Sequence, residues 1–98
     1  MPDVVVTAYI TIGNSDDKLS QAEWARFISD VQRAIATWGG RVYFEGFARP
    51  DVPFQNACFC AAFDHDHIGA LRMNLRKVRE LYRQDSIAFA VIDHIEMI

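Results

Sequence analysis

Little in this 98-residue sequence suggests an unusual class of protein, since it holds only two cysteines, three prolines and five glycines. So little Gly and Pro excludes collagen-like and low-complexity chains. Two cysteines are too few for a disulfide scaffold or a four-ligand zinc site. Cys58 and Cys60 are one residue apart, so on a strand both face the same way, with backbones too far apart for an unstrained bridge. They read as reduced thiols. No apolar run approaches the ~18 residues a membrane span needs. The start, Met1-Pro2-Asp3-Val4, lacks a basic segment of the signal-peptide kind, so a cytoplasmic location is expected. Excess positive charge is absent too: net charge is −3, which disfavours a dedicated nucleic-acid binder.

What is present is a core. Hydrophobic residues make up 51% of the sequence, far above the composition of disordered chains. Val4 to Ile12 is rich in β-branched residues and reads as a buried strand. Ser20 and Glu23 make a capping box, with Leu19 and Trp24 placed as a hydrophobic staple. Trp24, Phe27, Ile28, Val31, Ile35 and Trp38 then recur at helical spacing, and Gly39-Gly40 ends that helix. Strands are expected over 41–48, 56–63 and 86 to about 95. A second helix carries Ile68, Leu71, Leu75, Val78 and Tyr82.

The order is β-α-β-β-α-β, without a linker, so residues 1–98 form a single α+β domain. Two β-α-β halves joined by a hairpin most simply give a ferredoxin-like sandwich: a four-stranded antiparallel sheet with both helices on one face. Strands one and three are expected at the centre. Alternation leaves Val5, Thr7, Tyr9 and Thr11 of the first strand on the open face, with Tyr43, Glu45 and Phe47 of the second. Cys58, Cys60, Ala62 and Asp64 follow from the third strand, and Ala88, Ala90, Ile92 and His94 from the fourth. This face is neither clearly polar nor clearly core, and a monomer would expose it as a large semi-apolar patch, so a second copy is expected to cover it. The expectation is a homo-oligomer, with a dimer favoured. Its ligand-binding residues would be Tyr9, Tyr43, Glu45, Cys58, Cys60 and His94, taking a small molecule without a cofactor.

Two other features carry chemistry. Arg72, Arg76, Arg79 and Arg83 follow the second helix's apolar stripe by one position each. They form a basic edge suited to an acidic protein partner or a nucleic-acid backbone. Asp64-His65-Asp66-His67 resembles a metal tetrad, but adjacent turn residues point in different directions. Helix capping explains the acids, and no metal is expected.

Over nearly its whole length the chain resembles the dimeric α+β barrel proteins in strand order and size. That resemblance implies use of the open sheet face. Its Met1-Pro2 start followed by a strand is also similar to the tautomerase superfamily. This second resemblance implies an alternative, in which Pro2, freed by removal of Met1, acts as a catalytic base. Acylphosphatase is similar in topology, but its phosphate loop needs an arginine, and Gly13 to Lys18 has none.

Overall fold

The computed structural model describes residues 4–49, 51–92, 94 and 96–98. It contains β1 (Val5–Gly13), α1 (Gln21–Thr37), β2 (Arg41–Phe47), β3 (Asn56–Asp64), α2 (Ile68–Leu81) and β4 (Ala88–Ile92). All pairings are antiparallel, in the order β2-β3-β1-β4. This is the ferredoxin-like α+β sandwich, with β1 and β3 central. No helix of the described residues is long and apolar enough to cross a membrane.

Local chemistry fixes the elements. The Ser20 side chain accepts from the Glu23 N–H at 3.2 Å and Glu23 accepts from the Ser20 N–H at 3.1 Å, so two orphan donors of α1 are satisfied. At its far end Gly40 N–H donates to Ile35 O and Gly39 N–H to Ala36 O. Gly39 adopts φ +72°, which completes a Schellman cap. Gly40 must be glycine for a different reason. A Cβ there would lie 2.5 Å from both Ile35 Cγ2 and Phe63 Cε1.

The helices cover one sheet face. Phe27, Val31 and Ile35 of α1 and Leu71 and Leu75 of α2 bury against Ala8, Ile10, Ile12, Phe59, Ala61 and Phe63. The Tyr82 hydroxyl donates to the Asp30 carboxylate at 2.6 Å, clasping the end of α2 to α1. Burial, with Asp30 assisting, pushes that phenol up to about 12. Asp64 caps the turn before α2 by accepting from Asp66 N–H, as expected of an acid there.

Two expectations about the strands need correction. A bulge between Val42 and Phe44 adds one residue to β2 and reverses the faces beyond it. Phe44 pairs with Cys60 and turns to the open face, whereas Glu45 pairs with Phe59 and Phe47 with Ala57 on the helix-covered side. Gln32 of α1 donates to Glu45 at 3.1 Å. Glu45 and Phe47 are therefore not open-face residues, and Tyr43 sits unpaired in the bulge. The fourth strand, described as Ala88–Ile92 and paired with β1 from Thr11↔Ala88 to Thr7↔Ile92, starts two residues later than expected, and positions 93 and 95 lie outside the described residues. His94 lies beyond the strand and is exposed.

Candidate functional site

The register maps the open face row by row. One row runs Phe44, Cys60, Tyr9, Ala90, and the next runs Gly46, Cys58, Thr11, Ala88. In the first row the rings of Tyr9 and Phe44 meet edge to face, their centroids 6.1 Å apart. Cys60 lies between them in the sheet and is only 3% exposed. A thiol on an uncovered face is thus sheltered by its two neighbours. Hydrogen bonding with Cys60 is the main cause that raises the Tyr9 hydroxyl above its ordinary value, followed by the negative charge Cys60 carries as a thiolate.

The second row has only small side chains. Thr11 Oγ1 donates to Cys58 Sγ at 3.4 Å, and Cys58 remains half-buried. Nothing lies within 4 Å of a Cβ built on Gly46, so that end of the row is open. The row leads into a depression of about 420 Å³ bounded by Gly13, Phe54 and Asn56, with Thr11 and Ala88 on its floor. Gly13 gives Asn56 room, since a Cβ at Gly13 would meet Asn56 Oδ1 at 2.9 Å.

The rim of this depression is held by hydrogen bonds. The Asn14 side chain, 9% exposed, donates to Leu19 O at 3.0 Å and Gln55 Oε1 at 2.7 Å, and its Oδ1 accepts from Leu19 N–H. Opposite, Gln84 Oε1 accepts from Ser15 N–H at 2.7 Å. Both loops around the depression are therefore tied to one polar frame. Phe54 is not packed down and stands 59% exposed.

β2 extends beyond the cover of the helices. Every residue of Arg41–Phe47 is exposed, and Val42, Tyr43, Phe44 and Phe47 are each at least 45% so. With Val52 and Phe54 they make an exposed apolar arm, of which Phe44 is on the open face and Val42 and Phe47 on the other.

Of the sequence-expected site residues, the structure brings together Tyr9, Cys58 and Cys60. Glu45 faces the helix side, Tyr43 is in the bulge and His94 is past the sheet. Pro2 lies outside the described residues. Phe44, Gly46 and Thr11 join the site in their place. Gly46 within a strand is the local sign of an irregular β2. Among the described residues no group of three His, Cys, Asp or Glu could hold a metal ion.

On the basic edge, Arg72, Arg76 and Arg79 line one groove, but Arg83 does not. It follows α2 with φ +56° and donates to Glu23 of α1 at 3.0 Å.

No protein-family model matches the chain, and no curated protein is similar to it. Solved structures do resemble it. The regulatory subunit of aspartate kinase from Thermus thermophilus, in its ligand-free form, superposes with a TM-score of 0.59 at 15% identity, over 91% of this chain and 55% of that one. SnoaB, a cofactor-independent oxygenase from Streptomyces nogalater, gives 0.57 at 13%, over 98% and 97%. A protein of unknown role from Galdieria sulphuraria gives 0.58 at 14%, over 97% and 52%. The likeness shows the fold. The chain spans about half the length of the Thermus and Galdieria proteins. A shared fold at this identity carries no activity across.

Proposed function

We propose that the chain is a homodimeric small-ligand-binding domain whose open sheet face is covered by a second copy. The ligand lies in the trough of Gly46, Cys58, Thr11 and Ala88, against the wall made by Tyr9 and Phe44. The observation that carries this reading is the contrast between the two rows. An aromatic pair closes over Cys60, while the adjacent row is kept small and opens into a depression of about 420 Å³. That volume lies within the range of small-molecule pockets. Thr11 and Ala88 carry the trough into a depression edged by the polar groups of Asn14, Ser15, Gln55, Asn56 and Ser86 and by the Phe54 ring, so it suits a flat, largely uncharged molecule with hydrogen-bonding groups at one end.

A second copy supplies what the single chain lacks. Trough and aromatic wall are open to water on one side, and mating two such faces buries Phe44 and Val5 together. The same fold in a regulatory subunit and in a cofactor-independent oxygenase is compatible with a ligand on this sheet. The test is a solvent extract of the purified protein, compared with that of Gly46→Leu. A small molecule carried by the wild type and lost from the folded variant is expected. Equal retention of it by both proteins would overturn the placement of the site.

A further inference from the structure

We propose a second binding site, for a small organic anion, in the groove between α2 and the start of β4. Net charge is −3, yet this groove gathers three arginines, Arg72, Arg76 and Arg79, around a space of about 310 Å³. Their spacing (i, i+4, i+7) puts all three on one flank of the helix. Leu75, Ile87 and Phe89 make an apolar floor, and Ser86 adds a hydroxyl at the rim. The groove is on the helix-covered side of β4 and shares with the open-face depression only Ser86, which lines both.

The three guanidinium groups are held differently. Arg72 lies over the Phe89 ring, 5.2 Å from its centroid, a contact that fixes it against the floor. Arg79 donates to Gln84 O at 3.4 Å and lies 3.7 Å from Glu80 Oε1. Gln84 is itself buried and bonded to Ser15 N–H and Tyr82 O, so that end of the groove is rigid. Arg76 has no ion-pair partner among the described residues. The one carboxylate on the groove, Asp85, is turned to Lys18 at 3.7 Å and leaves the arginines uncompensated by that wall.

Like charges gathered on one wall repel each other until an anion arrives, and a low-dielectric floor focuses their field. Arginine binds carboxylate and phosphate through paired N–H donors. The space holds little more than a ring and its charged group, given that ligand pockets begin near 300 Å³. The ligand class is therefore a compact apolar or planar body bearing one phosphate or carboxylate. The body rests on Phe89 and Ile87, and the anion is clamped by Arg76 and Arg79.

The experiment is an amide chemical-shift titration of the intact protein with phenyl phosphate, benzoate and phenol. Saturable shifts confined to 72–79 and 85–89 are expected with at least one of the two anions, and whichever binds more tightly identifies the acid group. Arg76→Glu should weaken binding by more than about tenfold. Arg76→Lys, which keeps the charge but not the fork, should weaken it less. Phenol matching the anions, shifts scattered over unrelated arginines, or unchanged binding in a folded Arg76→Glu would each overturn the proposal.

Discussion

Tyr9 of β1 and Phe44 of β2 touch across an intervening strand, their rings meeting edge to face at 6.1 Å above Cys60. The contact exists because the bulge after Val42 carries Phe44 to the open face. It accounts for a buried thiol on a face without a covering layer, and it gives the adjacent trough one wall. Phe44→Ala should therefore expose Cys60. A thiol reagent is expected to label Cys60 at least about tenfold faster in the variant, with a stability loss of about 1 kcal/mol for the lost aromatic pair. Mass mapping of the labelled cysteines checks this.

Gly40 is expected to tolerate no side chain. Its Cβ would lie 2.5 Å from two core atoms and 2.7 Å from Ile35 O, in the backbone, so Gly40→Ala should cost about 1–3 kcal/mol by overpacking. Gly46→Ala has open space and should change stability by less than about 0.5 kcal/mol. Urea denaturation of both variants measures the contrast.

Tyr82 sets an alkaline limit. Its pKa is raised by burial and then by the Asp30 hydrogen bond to about 12, against an unfolded value of about 10. A raised folded pKa means the contribution is complete below pH ~10 and is lost as pH rises through about 12. Tyr82→Phe should be less stable at pH 8 and lack that loss. Chemical denaturation from pH 8 to 11.5 follows it.

Glu23 acts at the other end of the scale. Its carboxyl is lowered first by accepting from the Ser20 backbone N–H, then by the Ser20 side chain and the Arg83 charge. A lowered folded pKa contributes stability above the unfolded value of about 4.3, lost as pH falls below it. Glu23→Gln should flatten the acid side of the stability curve. Ser20→Ala should cost about 1 kcal/mol at neutral pH through the lost cap.

The parts legible in the sequence were those set by local chemistry. The Ser20 and Glu23 spacing marked the start of α1, Gly39-Gly40 marked its end, and period-two alternation gave the faces of β1 and β3. Element order then led to the sheet topology. Alternation counted straight through Val42–Phe47 misplaced Phe44, Glu45 and Phe47, since a bulge adds a residue without changing composition. The loss was functional as well as geometric. Glu45 left the candidate site and Phe44 entered it. His94 is exposed and lies outside β4 as described, which ends at Ile92.

The proposal that a second copy covers the open face is tested most directly by native mass spectrometry of the untagged protein beside Phe44→Asp. A dimer for the wild type and a folded monomer for the variant is the outcome expected, since one carboxylate placed on each mating face costs far more buried than in water. A wild-type monomer at micromolar concentration, or a dimer unchanged by Phe44→Asp, would contradict it.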